Sequence, residues 1–213
     1  MKTYSIFETH AHYDDEAFEP DRDGLLSSLQ GNGIGTVVNV CASVGELGRT
    51  ITLTEKYPFV YGAVGVHPDD ADKMTEQTLN EIRELSRREK ILAIGEIGLD
   101  YYWHKEEAAH EIQKKMFRAQ MDIAREEKLP FMIHSRDAAK DTLDIVKEYM
   151  DEGMYGGIIH CFSYGKEMAE QYLNMGLYLG IGGVVTFKNA KKLKEVVEYA
   201  PLEQLVLETD SPY

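Results

Sequence analysis

Cysteine is scarce in this chain. Cys41 and Cys161 are the only two in 213 residues, too few for the disulfide framework of a secreted mini-domain. Long apolar runs are absent: no stretch approaches the roughly 18 consecutive residues of a membrane span. The start, MKTYSIFETHAHYDD, carries no apolar segment of signal-peptide length. A soluble, cytoplasmic protein is expected. Positive charge is also short, with 23 Lys and Arg against 37 Asp and Glu, a formal net charge of −14. A polyanion meets that field as repulsion, which disfavours a sequence-blind DNA coat or a basic membrane-surface protein. It leaves open an enzyme that meets a few phosphates through metal ions, because a metal inverts the local field. Linkers, low-complexity tracts and repeated motifs are missing as well. A 43% hydrophobic, 28% charged composition excludes disorder, collagen and coiled coil, so residues 1–213 are read as one domain with a sizeable core.

What the chain does have is an alternation. Eight short apolar runs rich in Val, Ile, Tyr and Phe are YSIFETH near residue 4, TVVNVC near 36, FVYGAVGVH near 59, ILAIGEIG near 91, PFMIHS near 130, YGGIIHCFS near 155, LYLGIGGVV near 177 and LVLETD near 205. The stretches between them read as helices over 21–30, 75–88, 106–128, 140–150, 166–175 and 191–199. Ile112, Met116, Ala119 and Ile123, spaced by three and four, show the helical period. Such alternation argues for parallel strands with helical crossovers. Eight strands favour a (β/α)8 TIM barrel over an open doubly wound sheet. The dinucleotide loop G-x-G-x-x-G is absent after the first strand. Gly33 and Gly35 precede the second run instead and read as a helix-to-strand turn. Because Tyr213 follows the eighth run closely, the barrel is expected to lack its final helix. Part of its wall would then be left for a partner or a second copy to cover. The oligomeric state is not set by the sequence.

Polar residues fall in register with the strands. His10 and His12 follow YSIFET, His67 ends the third run, Glu96 sits in the fourth, and His134, His160 and Asp210 end the fifth, sixth and eighth. In a barrel those ends open on one face, where active sites are built. Five of the seven histidines belong to this set, against the bland reading of each as a satisfied loop or core histidine. Residues two apart on a strand share a face, so His10 and His12 can reach one ion. Imidazole and carboxylate donors without a thiolate suit zinc, manganese, iron or cobalt. Six donors exceed the needs of one tetrahedral ion, which points to two ions sharing a carboxylate. Cys161 is expected to point away from the site if His160 points in, and Cys41 reads as a small buried hydrophobe. Asp14, Asp15 and Glu16 read as a solvated acidic loop. Arg136 and Lys188 are equally readable as phosphate contacts or helix-end charges. Tyr101, Tyr102 and Trp103 read as a cap on the barrel top, with stacking on a base or sugar as the alternative.

THAH at 9–12, GVHP at 65–68, GEIGLDY at 95–101, IHSR at 133–136, HCFS at 160–163 and ETDSPY at 208–213 together resemble the TatD-like metal-dependent deoxyribonucleases, in the family's order and across almost the whole chain. The resemblance implies an amidohydrolase-type TIM barrel holding one to three divalent ions (Mg, Mn or Zn). It implies that His10 and His12 hold a first ion, that Glu96 bridges to a second, and that His134 and His160 complete the second. Asp210 would bind the first ion and take a proton from the attacking water, which with Glu96 makes the catalytic pair. His67 and Arg136 are expected to contact substrate. The implied activity is hydrolysis of DNA phosphodiester bonds, probing strand ends as an exonuclease does. The partner is DNA or a short oligonucleotide, without a membrane. Two departures from the family pattern stand out: Tyr164 follows HCFS where many relatives have glycine, and relatives continue past D-x-PY.

Related barrels, the cyclic amidohydrolases and phosphotriesterases, often bridge their ions with a carboxylated lysine on the fourth strand. Here that strand carries Glu96, and Lys90 lies at its opposite end, which favours the nuclease branch. An ester or amide substrate, such as the aminoacyl link of a charged tRNA, is the alternative, since a deacylase would use the same ions and water. The negative net charge leads us to expect short substrates or strand ends and modest affinity.

Overall fold

The computed structural model describes residues 5–213. Its eight strands pair in parallel and in chain order: β1 (Ile6–Ala11), β2 (Ile34–Val40), β3 (Val60–Val64), β4 (Ile91–Asp100), β5 (Phe131–Arg136), β6 (Gly157–Ile159), β7 (Tyr178–Ile181) and β8 (Leu205–Leu207). The crossovers carry α1 (Arg22–Leu29), α2 (Leu47–Lys56), α3 (Glu76–Ser86), α4 (Glu107–Glu127), α5 (Ala139–Asp151), α6 (Lys166–Asn174) and α7 (Lys191–Tyr199). This is the (β/α)8 TIM-type barrel expected from the alternation, and among the described residues no helix follows β8. All eight expected strands are present. Tyr4, which opens the first expected run, lies outside the described residues.

Six helices fall where the periodicity places them, and α2 is the one it does not predict. Its sequence, LGRTITLTEK, is rich in β-branched residues that lose rotamer freedom in a helix. Burial decides instead: Leu47, Thr50, Leu53 and Thr54 turn inward. Gly33 stands at φ 89° after α1, in the left-handed region that glycine adopts at no steric cost. That confirms the helix-to-strand turn.

Closure between β8 and β1 rests on four hydrogen bonds. Thr9 Oγ1 donates to the Leu207 carbonyl at 2.9 Å, and the Thr209 N–H donates to the Glu8 carboxylate at 2.8 Å. The Asp210 N–H donates to the His10 carbonyl at 3.0 Å, and the His12 N–H to the Ser211 carbonyl at 2.8 Å. The seam therefore fixes the two site-bearing ends against one another. The β1–β2 register shifts between Glu8 and Ala11, the segment that carries His10.

The two mouths differ in kind. A cavity at the N-terminal mouth is lined by Phe7, Val38, Phe131, Met132, Ile158 and Val206, among others, with no acid, histidine or cation among the described residues. Every ionisable group in the barrel lumen discussed below gathers at the C-terminal mouth. Among the described residues, no helix is long and apolar enough to cross a membrane.

Candidate metal centre

A cavity of about 400 Å³ opens at the C-terminal mouth, with His12, His67, Glu96, His134, His160 and Asp210 in its wall. Glu96 lies at its centre. β4 presents this carboxylate from the middle of the strand, and Gly98, at φ 146°, lets β4 run so close to β5 that a Cβ there would lie 2.0 Å from the His134 carbonyl oxygen. The Gly95–Glu96 peptide is cis.

The two oxygens of Glu96 face different histidines. Oε2 lies 3.4 Å from His10 Nε2 and 3.5 Å from His12 Nε2. Oε1 lies 2.7 Å from His160 Nε2, 2.9 Å from His134 Nδ1 and 3.9 Å from His67 Nε2. Asp210 joins the first group, 3.3 Å from His12 Nε2 and 3.8 Å from His10 Nε2. The Nε2 atoms of His10 and His12 stand 3.2 Å apart. Two nitrogens about 2.0–2.1 Å from a tetrahedral ion would lie about 3.3–3.4 Å apart. Donor types and spacing therefore fit a divalent ion beside His10, His12 and Glu96, and the donor types on the Oε1 side suit another. Among the described residues, three overlapping sets of donors converge: His10, His12 and Glu96; His10, His160 and Asp210; and His67, Glu96 and His134.

Histidine orientation is set from behind. His12 Nδ1 meets the Val40 carbonyl at 2.6 Å, so its Nε2 faces the cavity. His134 Nε2 meets Asp100 Oδ2 at 3.1 Å, leaving Nδ1 for the Glu96 side. His160 Nδ1 is 3.6 Å from Glu208 Oε1, while that oxygen accepts the Cys161 N–H at 2.5 Å. The Val40 and Asp100 contacts are outer partners of the kind that fix a tautomer and raise ligand basicity, while His160 Nδ1 makes no hydrogen bond among the described residues and has Glu208 only as a nearby charge.

Electrostatics follow from this crowding. Burial opposes ionisation of Glu96, but the imidazoles of His160, His10 and His134 overcome it and hold the carboxyl well below its usual range. Burial also opposes charge on His12, yet Asp210 and Glu96 lift it to about 9. Burial, then the neighbouring His134, pushes His67 down to about 4. Burial works against Asp100 too, and the His134 contact with the Trp103 and Tyr102 N–H groups brings it to about 2.

Residues 7–213 match the sequence profile of the TatD-related DNases. The chain belongs to that family. It is 44% identical over 208 residues, 98% of this chain and 80% of the relative, to the uncharacterized metal-dependent hydrolase YabD of Bacillus subtilis. It is 29% identical over 209 residues, 98% of this chain and 79% of the relative, to the 3'-5' ssDNA/RNA exonuclease TatD of Salmonella typhimurium. Among solved structures, YjjV, a TatD homologue from Escherichia coli, superposes with a TM-score of 0.88 at 29% identity, covering 97% of this chain and 79% of that one. A metal-dependent hydrolase of the TatD family is thus what the chain is.

Five of the six residues expected to hold ions line the cavity, and the sixth, His10, is buried against Glu96 beside it. His67 stands closer to them than a substrate contact requires, with its ring centre 4.2 Å from that of His134. Arg136 lies on the exposed rim of the same cavity. Lys188 is exposed and outside the wall. Cys41 is buried, with Sγ on the Ser43 carbonyl at 3.3 Å. Cys161 also stays out of the cavity wall, though not by strand alternation: β6 ends at Ile159, and Cys161 turns at φ 43°.

The acidic run needs correction. Asp14 is buried, accepting from Thr50 Oγ1 at 2.6 Å, and its N–H donates to Asn39 Oδ1 at 3.2 Å. Only a paired carboxylate is kept there. The aromatic cap is likewise only partial. Tyr101 stacks on His110 with ring centres 3.6 Å apart, but Tyr102 and Trp103 are exposed. Asp100 and Glu208 escaped the sequence reading. Asp100 had a signal: it lies four residues after Glu96 on β4, hence on the same face.

Proposed function

We propose that this TatD-family hydrolase cleaves DNA phosphodiester bonds, working inward from a strand end on short substrates. The observation that carries the reading is the splitting of the Glu96 oxygens between two histidine groups. In our reading His10, His12 and Asp210 hold one divalent ion, His134 and His160 hold another, and Glu96 is shared. Mg, Mn or Zn are the candidate ions, one to three in number. When bound, the ions neutralise phosphate oxygens and make water acidic enough to attack near neutral pH.

The chain's own residues do the rest. Asp210, 24% exposed, is reachable by water, and its carboxylate accepts the proton as water attacks phosphorus. The Val40 carbonyl and Asp210 hold the His12 ring in place. Asp100 does the same from behind His134, and Glu208 places a buried carboxylate near His160. Arg136 offers a guanidinium to the phosphate from the rim, and His67, in the cavity wall beside Glu96 and His134, meets the substrate next to the ion-holding residues. Support for a DNA substrate comes from the family and from the relative named as an ssDNA/RNA exonuclease.

The test is an add-back assay. The chain is stripped with chelator and supplied with Mg²⁺, Mn²⁺ or Zn²⁺ beside end-labelled single-stranded oligonucleotide. Stepwise shortening that requires metal and is lost in Glu96→Ala is expected. An intact oligonucleotide with metal bound would move the substrate to an ester or amide.

A further inference from the structure

Trp103 is the chain's one tryptophan, and it stands on the rim of the cavity, 64% exposed. Tyr102 beside it is 41% exposed, with the two rings edge-to-face at 4.7 Å between centres. The Arg136 guanidinium carbon sits 4.2 Å from the Tyr102 ring centre and 5.6 Å from that of Trp103. Lys105 Nζ approaches the Tyr102 ring at 5.1 Å. In a chain of net charge −14, two cations thus gather on one aromatic pair. Among the described residues, Arg136 is the only Lys or Arg in the cavity wall.

The shelf is rigid for reasons unrelated to its rings. Asp100 Oδ1 accepts the N–H groups of Tyr102 at 2.9 Å and Trp103 at 3.0 Å. His104 Nε2 meets Asp69 at 3.0 Å, and His110 Nε2 meets the His104 carbonyl at 2.8 Å. Tyr101 donates its hydroxyl to Asp141 at 2.8 Å. The backbone is pinned while the indole stays open to solvent at the mouth of the site. A large exposed aromatic held this way lowers the ordering cost of binding. The carboxylate that pins the shelf also contacts His134 through Oδ2.

We infer that Trp103, Tyr102 and Arg136 form a nucleotide subsite. The indole stacks on an unpaired base, and the guanidinium pairs with an adjacent phosphate. Every base has a π-face, so stacking tolerates any sequence. Guanidinium matches phosphate in geometry as well as charge. In a duplex the base faces are covered by their neighbours, so the subsite selects single strands or frayed ends. The inference deepens the phosphodiesterase reading and rests on it.

Because Trp103 is unique, indole fluorescence reports on the shelf alone. The full chain in chelator is titrated with a short oligothymidylate, with the same phosphate chain lacking bases, and with a blunt duplex. Hydrolysis of oligothymidylate and of a methyl nitrophenyl phosphodiester, which has no base, is followed separately with metal. Saturable quenching by oligothymidylate, and weaker or none by the other two, is expected. Arg136→Ala is expected to weaken that quenching on the order of tenfold. Trp103→Ala is expected to raise the oligothymidylate KM on the order of tenfold, and Trp103→Phe to recover part of the loss. Absent quenching, equal quenching by the baseless chain, or an unchanged KM in Trp103→Ala overturns the subsite. Diester hydrolysis without quenching would remove the subsite and leave the phosphodiesterase reading. Quenching without hydrolysis under any metal would do the reverse.

Discussion

At the scale of single residues, the informative groups stand behind the histidines. Asp100 touches His134 with one oxygen and the Tyr102–Trp103 turn with the other, so one carboxylate orients a ligand and a rim loop together. Asp100→Asn keeps the size and weakens both contacts. We expect Mn²⁺ affinity to fall about 10–100-fold with the circular dichroism spectrum retained. Affinity equal to the parent would show that Asp100 does not orient His134. The sequence placed the six inward donors because their residue types recur at strand ends. It did not place Glu208, whose neighbour Thr209 turns toward the β1–β8 seam, whose Oε1 accepts the N–H of Cys161 from the turn after β6, and whose Oε2 lies in the space left by Gly180 on β7. That pairing depends on tertiary approach, which strand parity does not record.

At the scale of elements, α4 braces the mouth from outside. Gln113 and Gln120, two turns apart on its buried side, each clamp one strand end with both amide atoms. Gln113 takes the Asp100 N–H at 3.0 Å and donates to the Asp100 carbonyl at 3.1 Å. Gln120 does the same for Val66, at 2.8 and 3.1 Å. Val66 immediately precedes His67. Gln120→Ala leaves a buried N–H and carbonyl unpaired, and we expect it to cost about 2–4 kcal/mol in urea unfolding. A loss within about 0.5 kcal/mol would mean that water or relaxation replaces the clamp. The strand set and six helices were legible from period and breakers. The seventh, α2, was not, because Thr50, Ile51, Thr52 and Thr54 favour extended backbone locally while burial against β3 decides for helix. The same limit explains Asp14, read as solvated from its acidic neighbours but held inside by Thr50 of that helix.

At the scale of the whole molecule, net charge and site charge oppose each other. A chain at −14 repels an anionic strand at long range, and in the proposed reading the ions held at the cavity and the Arg136 rim attract it at short range. Salt screens the long-range field within about 10 Å at 0.1 M and the enclosed site far less. Raising KCl at fixed metal should therefore raise kcat/KM for a short oligonucleotide at first, whereas a basic nuclease loses it steeply. A steep monotonic fall would contradict the charge argument. The claim on which the rest depends is that Glu96 stands between two ion sites. Calorimetric titration of the chelator-stripped chain with Mn²⁺ tests it most directly, on the parent and on two double variants, His10→Ala with His12→Ala and His134→Ala with His160→Ala. The account predicts at least two equivalents for the parent and one fewer for each variant. A parent that binds only one equivalent, with that one abolished in either double variant, or no saturable binding in the parent, would contradict it.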